Sequence, residues 1–250
     1  MRTQTVLGAI LLSLLASSAR AQDNSKGWLD VNLGAATAAE DSFTSTKVLT
    51  ISQEAGGGSV AYGVPRGGAF DVGGGYMFTP RLGFGVSLAA TAHEDAAGLA
   101  ISVPHPLYFN ASARDADVTN SSLTRTEGAW HIQAMLVAAS TPRVRLRLFA
   151  GPTYFRAEQE VVTNIRYDQV YQLLGRGNVV DITTYSSAKE VGTGWGFHGG
   201  GDLSVFFTRV FGLGGSVRLS RGTVSIQDYG GTHDISTGGV QINAGVRFRF

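Results

Sequence analysis

The sequence predicts an all-β fold, an eight-stranded antiparallel up-and-down transmembrane β-barrel with short periplasmic turns and long extracellular loops. Three observations predict it. From Leu29 onward, apolar residues recur at every second position, which is the period of a β-strand. The connections between these stretches alternate between short and long, as in transmembrane barrels. The last alternating stretch ends the chain at Phe250.

Eight alternating stretches are each about as long as a tilted strand must be to cross a membrane. In the first of them, Leu29 and Val31 share one face while Asp30 and Asn32 share the other. The stretches are 28–36, 68–78, 82–92, 128–139, 143–155, 191–207, 211–220 and 239–250. Because the polar faces carry arginines and aspartates, we expect them to line the lumen and the apolar faces to contact lipid.

The connections divide into two classes. Three are short and alike, with Thr-Pro-Arg at 79–81 and 141–143 and Thr-Arg at 208–209, and we place them on the periplasmic side. Four are long and polar, and we assign them to extracellular loops: 37–67, 93–127, 156–190 and 221–238.

Three of the long segments contain features of their own. The first is predicted to form a hairpin across 56–58, and the second includes an apolar stretch, 99–109. The third has flanks rich in Val, Ile, Tyr and Thr around 175–178, which predicts that the fifth and sixth strands continue above the membrane as a hairpin. Such a hairpin exposes a sheet edge to which a partner could add a strand.

The N-terminus has the pattern of a secretory signal peptide. Arg2 precedes an apolar run, 6–16, and Ala19 and Ala21 are the small residues that a signal peptidase reads. This run is shorter than the roughly 20 residues that a membrane helix needs. We therefore expect a signal peptide at 1–21, cleaved near Ala21, and a barrel domain at 22–250 in the bacterial outer membrane.

Composition excludes several classes of site. The 250 residues include no cysteine, so disulfides, thiolate metal sites and cysteine nucleophiles are ruled out. The formal net charge of +1 does not favour a nucleic-acid partner. The sequence contains no motif that indicates a cofactor, a metal or a catalytic centre.

The C-terminal strand carries a pattern that resembles the assembly signal of outer-membrane barrels. It has a polar residue, Asn243, a glycine two positions later, Gly245, and aromatic residues at alternate positions, Phe248 and Phe250. Together with the strands, residues 27–250 resemble the eight-stranded outer-membrane barrel family typified by OmpA, OmpX and opacity-type proteins. The resemblance implies contact with the barrel-assembly machinery and with outer-membrane lipid and lipopolysaccharide.

The polar faces predict a charge cluster inside the barrel near the periplasmic end. Closing the sheet brings the last strand to the first, and the fifth and sixth strands form a hairpin. The charged residues that these pairings bring together are Asp30, Asp202, Arg145, Arg147, Arg247 and Arg249. Unpaired charges in a narrow interior would be costly, so we expect ion pairs among them. The functional alternative is an arginine-lined constriction for anions.

Glycines and aromatic residues complete the barrel pattern. Glycines are interpreted as small interior residues that leave room for bulky neighbours, because none follows a strand and opens a helix as a phosphate-binding loop does. They stand at 73–75, 192, 194, 196, 199–201, 212, 214 and 215. The outward aromatic residues predict two girdles, Phe78, Phe84, Phe207, Phe211 and Phe250 near the turns and Phe70, Trp130, Tyr154 and Trp195 near the loops.

Three functions remain open from the sequence. The first is a non-catalytic interaction barrel that displays extracellular loops to a protein partner. The second is a narrow porin-like channel for ions or small solutes. The third is a lipid-modifying enzyme, for which Ser87, His131 and Asp71 share an inward face, as does His198. We favour the first, since an eight-stranded barrel is narrow enough for side chains to fill.

Overall fold

The computed structural model describes residues 26–39, 42–51, 53–63, 66–105, 113–170 and 179–250. The predicted signal peptide at 1–21 and the predicted turn at 175–178 lie outside these residues. Within the described part of the chain, no helix is long and apolar enough to cross a membrane.

In the described residues, ten strands form one antiparallel sheet. They are β1 (Gly27–Ala36), β2 (Ser42–Ile51), β3 (Glu54–Gly63), β4 (Gly67–Met77), β5 (Leu82–Val103), β6 (Arg114–Ser140), β7 (Val144–Val170), β8 (Val179–Phe206), β9 (Phe211–Asp228) and β10 (Gly231–Arg249). Eight of them close a ring in the order β1-β4-β5-β6-β7-β8-β9-β10, and β10 pairs with β1. The predicted eight-stranded antiparallel barrel is confirmed.

The closing seam joins the two ends of the chain in a regular ladder. Its register runs from Trp28 opposite Arg249 to Ala36 opposite Gln241. Beyond the ladder, the N–H of Gly27 donates to the carbonyl of Phe250 at 2.7 Å, and the N–H of Phe250 donates back to Gly27 at 3.0 Å. The last residue therefore takes part in closing the barrel.

The three short turns share one local device. Each begins with a threonine whose side-chain oxygen accepts a hydrogen bond from the backbone N–H three residues later. The bonds run from Leu82 to Thr79, from Val144 to Thr141 and from Phe211 to Thr208, each at 2.9 Å. Their similarity in sequence therefore reflects a similarity in conformation.

The two faces of the strands separate as the alternation predicts. The predicted girdle residues are exposed on the outside, except that Tyr154 is partly covered by Trp195, with ring centroids 5.2 Å apart. The inward polar residues are buried, among them Asp30, Asp71 and His131. The apolar surface of the barrel thus faces lipid and the polar surface faces the lumen.

The four long segments are mostly strand. The predicted continuation of the fifth and sixth strands as a hairpin is confirmed by the β7–β8 ladder. The second and fourth segments were predicted only as loops, and there too the structure extends the flanking strands. Strands β5, β6, β7 and β8 contain 22, 27, 27 and 28 residues and extend well past the outer girdle. The first long segment forms the hairpin β2–β3, and the described residue at its turn is Gln53, with φ of 68°. Residues 56–58, where the turn was predicted, lie inside β3. Continued backbone pairing satisfies the main chain better than irregular loops would.

Above the membrane the sheet separates into hairpins that surround an apolar core. The β6–β7 ladder ends at Arg125 and Gln159, and the β8–β9 ladder ends at Gly196 and Gly222. Strand β3 pairs with β5 from Gly57 to Tyr62. The core between the hairpins includes Val60, Tyr62, Leu99, Ile101, Leu123, Phe155, Val161, Ile165, Val180, Val224, Ile226 and Ile235. The extracellular part is therefore a folded cap.

Two interior glycines make room for one aromatic side chain. Trp28 points inward and is buried, and a Cβ placed on Gly85 would lie 2.4 Å from its ring. A Cβ on Gly75 would lie 2.8 Å from the same ring. The guanidinium of Arg147 lies 4.8 Å from the centre of the Trp28 ring, which suits a cation–π contact. These glycines thus position Trp28 beneath a buried charge.

Gly85→Ala is expected to lower the free energy of unfolding by about 1–3 kcal/mol, because Trp28 or the facing backbone must move. Urea titration of the protein in lipid vesicles, followed by tryptophan fluorescence, measures this change. Gly128→Ala is the matched control, since a Cβ there would meet its nearest described atom only at 3.9 Å. Equal destabilisation by the two variants would contradict the packing role of Gly85.

Candidate functional site in the barrel interior

Four charged side chains from four strands meet inside the barrel near the short turns. Asp202 on β8 accepts from Arg147 at 2.7 Å and from Arg247 at 2.6 Å, using a different carboxylate oxygen for each. Asp30 on β1 accepts from Arg147 at 2.5 Å and lies 3.6 Å from Arg247. The hydroxyl of Ser204 donates to Asp202 at 2.6 Å. We call these four charged residues the turn-side network.

The register explains how the turn-side network assembles. Asp30 is directly opposite Arg247 across the closing seam, and Arg147 is directly opposite Asp202 in the β7–β8 hairpin. The two neighbouring pairs then meet across the lumen, since Arg147 reaches Asp30 and Arg247 reaches Asp202. All four side chains are buried, so each charge depends on its partners for compensation.

Arg145 and Arg249, the other two residues predicted for this cluster, lie closer to the turns. Both guanidinium groups lie over the Phe206 ring, at 5.9 Å and 4.0 Å from its centre. Arg249 also donates to the carbonyls of Arg209 and Pro142, at 2.9 Å and 3.1 Å. These contacts hold the turn ends of β7, β8 and β10 together around one aromatic ring.

A second buried ion pair, not predicted from the sequence, lies above the turn-side network. Arg218 on β9 donates to Asp71 on β4 at 2.6 Å and to the hydroxyl of Ser87 at 3.0 Å. Asn32 connects the two sites, because its amide donates to Asp71 at 3.0 Å and its carbonyl oxygen accepts from Arg247 at 2.5 Å. Polar contacts therefore cross the lumen at two levels.

Two histidines, one on β6 and one on β8, share a threonine of the strand between them, β7. The hydroxyl of Thr153 lies 2.8 Å from Nδ1 of His131 and 2.9 Å from Nδ1 of His198. A hydroxyl donates a single hydrogen, so one of the two imidazoles must carry its proton on Nδ1 and donate to Thr153. The rings themselves are 4.5 Å apart, centre to centre.

The possible catalytic grouping is not arranged as a Ser-His-Asp triad. Ser87 and His131 are directly opposite each other in the β5–β6 ladder. The hydroxyl of Ser87, however, accepts from Arg218, and Asp71 pairs with the same guanidinium. Because Nδ1 of His131 contacts Thr153, no carboxylate orients that ring through Nδ1. In the part of the chain that the structure describes, no group of three or more potential ligands could hold a metal ion.

Two small cavities bordered by described residues lie within the lumen. The lower one has a volume of about 20 Å³ and lies between the two ion-paired sites, in contact with Asp30, Arg147 and Arg218. The upper one, of about 30 Å³, is bordered by Glu127, His131 and Phe155. Each has room for about one water molecule.

The β2–β3 hairpin is anchored in the extracellular cap by side-chain contacts on both sides. Tyr62 of β3 is inserted into the apolar core, and its hydroxyl accepts a hydrogen bond from the N–H of Val162 on β7 at 3.0 Å. This burial raises the pKa of Tyr62 to about 12. On the other side of the hairpin, the hydroxyl of Ser45 donates to Asp228 at 2.7 Å, and Lys47 lies 5.2 Å from the centre of the Tyr229 ring. The β2–β3 hairpin is thus attached to two other hairpins.

A further ion pair, on β6, contacts the backbone of β10 where the cap meets the barrel. Arg125 and Glu127, both on β6, pair at 2.6 Å. Arg125 donates to the carbonyl of Ser236, and Glu127 accepts from the N–H of Gly238, at 2.8 Å and 3.0 Å. Gly238 has φ of +95°, where a glycine is strongly preferred. The pair therefore holds β10 at the level where its pairing with β1 stops.

The sequence as a whole matches one family model. The matching model is that of the outer membrane protein beta-barrel domain, over residues 7–250. This chain belongs to the outer-membrane β-barrel family. As a member of that family it is an outer-membrane protein, and its apolar outer surface is the one that lipid contacts. No curated protein matches the sequence.

Several solved outer-membrane proteins are similar to the chain over most of its length. OprG from Pseudomonas aeruginosa is 11% identical with a TM-score of 0.46, and the match covers 90% of this chain and 97% of OprG. Neisserial surface protein A is 14% identical with a TM-score of 0.39, covering 90% and 97%. The outer-membrane protease OmpT from Escherichia coli is 10% identical with a TM-score of 0.44, covering 94% and 100%.

The predicted assembly-signal residues are divided between the two faces of the last strand. Asn243 is buried in the lumen, and Gly245, on the same face, lies so close to β1 that a Cβ would be 1.9 Å from the carbonyl oxygen of Val31. On the outer face, Phe248 packs against Phe211 at a tilt of 58°, with ring centroids 5.6 Å apart, and Phe250, just after β10, is 70% exposed at the rim. Phe250 is therefore available to other proteins and to lipid.

Proposed function

We propose that this protein is a non-conducting, non-catalytic barrel that holds a folded extracellular cap in the outer membrane for contact with other proteins. The observation that supports this proposal most directly is that buried side chains fill the lumen. Arg147 reaches from β7 to β1, Arg218 reaches from β9 to β4, and the cavity between these arginines and the one above them each have room for about one water. A hydrated ion would have to displace buried ion pairs to pass.

Conductance in planar bilayers tests this proposal against a channel. We expect current indistinguishable from that of the bare bilayer, because the two networks and the cap interrupt the water path. Insertion is verified in parallel by protease protection of the same protein in vesicles. Reproducible unitary steps that scale with salt concentration would instead support a narrow porin-like channel.

The absence of catalysis is also part of the proposal. Two contacts support the absence of catalysis. Arg218 donates to both Ser87 and Asp71, and Nδ1 of His131 contacts Thr153 and not a carboxylate. We expect purified protein to hydrolyse neither lipid A nor a peptide substrate. The His131→Ala variant should behave in the same way. Turnover by the wild type that His131→Ala removes would contradict this part of the proposal.

We propose the same assignment of the chain ends that the sequence predicts. Residues 1–21 act as a signal peptide cleaved near Ala21, and the barrel-assembly machinery reads Asn243, Gly245, Phe248 and Phe250. The exposed Phe250 supports this role. Lipopolysaccharide is the proposed lipid partner of the outer half of the barrel, where Trp130 and Trp195 are exposed.

A further inference from the structure

The β7–β8 hairpin has an unpaired edge above the membrane. Strand β8 pairs with β9 only from Gly196 to Phe206, whereas its pairing with β7 continues to Val179. Gly192 and Gly194 still pack against β9, since a Cβ on either would meet its backbone within 2.6 Å. From Val191 upward, no other described strand pairs with the outer side of β8. We call the segment Asp181–Val191 the β8 edge.

The β8 edge is accessible and suited to strand pairing. All five side chains from 183 to 187 are exposed, on both faces of the strand. Threonine and tyrosine, which favour strands, make up three of these five residues. An accessible edge of this kind presents backbone N–H and C=O groups that a further extended segment can satisfy.

The arms of the hairpin are acidic. Residues 158–170 and 179–191 hold five acidic side chains, Glu158, Glu160, Asp168, Asp181 and Glu190, against two basic ones, Arg166 and Lys189. Lys189 is already engaged by Glu158 at 3.0 Å. A hydrogen bond from Ser187 at 2.7 Å lowers the pKa of Glu160, so this residue remains negatively charged. A strand added here meets a negative potential.

Two like charges face each other at the upper end of the β8 edge. Asp181 is directly opposite Asp168 in the β7–β8 ladder, and both side chains are exposed. Directly opposed like charges destabilise a pair of strands. A cationic side chain on an added strand would lie beside Asp181, on the same face of the sheet as both carboxylates, and would relieve this repulsion.

We propose that the β8 edge binds an extended, lysine- or arginine-rich segment of an extracellular protein as an added antiparallel strand. This inference rests on the proposed function and names the partner chemistry of its cap. The backbone supplies the pairing, and Asp168 and Asp181 select the charge. A second copy of this chain is a poorer occupant, because its β8 edge carries the same acidic excess.

Binding of defined peptides to the protein in nanodiscs tests the proposal. The probe is a nine-residue, acetylated and amidated peptide of alternating lysine and threonine, compared with its glutamate–threonine counterpart. We expect binding of the lysine peptide only. The double variant Asp168→Asn/Asp181→Asn should weaken it by about fivefold to tenfold, the scale of two exposed charge contacts.

Two controls distinguish strand addition from general electrostatic attraction. N-methylation of one alternating set of peptide amides should abolish binding, while N-methylation of the other set should leave it unchanged, because only one set faces β8. Asp115→Asn/Asp117→Asn, two exposed carboxylates on β6, should have little effect. Equal binding by both N-methylated peptides, or equal loss in the β6 variant, would overturn the proposal.

The outcome is independent of the test for conduction. If the lysine peptide does not bind and the bilayers show no conductance, the β8 edge is not the binding surface, and the proposal of a non-conducting barrel is still supported. Unitary conductance steps together with peptide binding would contradict the non-conducting barrel but would support the β8 edge as a binding site. Clustering of nanodiscs without peptide would identify a second copy as the occupant and overturn the basic partner.

Discussion

Replacing Asp202 by asparagine is expected to lower the free energy of unfolding by about 3–5 kcal/mol, the cost of removing one partner from a buried charge network. Asp202 accepts from Arg147 and Arg247 at once, and its loss leaves two buried guanidiniums with Asp30 as the remaining carboxylate of the turn-side network. The asparagine keeps the shape of the side chain, so the change isolates the charge.

Urea unfolding in lipid vesicles measures the effect of Asp202→Asn. Asp117→Asn, the same substitution at an exposed position opposite Ala100, is the matched control and should change stability by less than about 0.5 kcal/mol. Adding Arg147→Met to Asp202→Asn should cost much less than Arg147→Met alone, because the removed arginine has already lost one partner. Additive effects of the two substitutions would show that the network does not act as a unit.

Phe250→Ala, which keeps the backbone pairing with Gly27, is expected to reduce the amount of barrel in the outer membrane several-fold, while refolding of the purified chain in detergent remains close to wild type. The reason is that Phe250 is 70% exposed and contributes little burial to the folded barrel. Its proposed role is recognition by the assembly machinery, and unassembled chains are removed by proteases.

Quantification of the protein in membrane fractions, with refolding yield measured in parallel, separates these two roles. Phe207→Ala is the control, since Phe207 is a similarly exposed aromatic residue near the turns, at 65%. A parallel loss of refolding yield in detergent would assign the side chain of Phe250 to stability of the seam, where its backbone exchanges two hydrogen bonds with Gly27.

Much of the barrel could be predicted because the alternation within each strand shows which of its faces contacts lipid. The period of two places Leu29 in lipid and Asp30 in the lumen without knowledge of any other strand. The Thr-Pro-Arg turns likewise contain their own hydrogen-bond acceptor, Thr79 and Thr141. The order of the strands also predicted that Arg247 lies near Asp30 and Arg147 near Asp202. The ladders place the members of each pair directly opposite each other.

Contacts across the lumen could not be predicted in this way. Arg218 and Asp71 lie on β9 and β4, which are not neighbours in the ring, and their pairing depends on the barrel diameter and on side-chain length. The acidic residues that precede and follow Arg218 along the chain are Asp202 on β8 and Asp228 at the far end of β9, and neither is its partner. Its inward position was predicted by the alternation, but its partner was not.

The apolar core of the extracellular cap could not be predicted from the sequence either. In the third segment, Val161, Ile165 and Val180 alternate with polar residues, and the sequence predicted the hairpin that contains them but not the core that they join. The structure turns these apolar residues inward, where they form a core between three hairpins. A period-two pattern with one apolar face is present in the sequence, but bulges between 162 and 164 and between 166 and 167 shift its phase.

The sequence by itself determined the number of membrane strands, their faces, the three turns and the position of the closing strand, because all of these follow from local periodicity and turn chemistry. Only the tertiary structure decided which charges pair across the lumen, how Thr153 joins two histidines and which hairpin edge remains unpaired. Those features depend on the closure of the ring, which brings together side chains that are far apart along the chain and are separated by intervening strands.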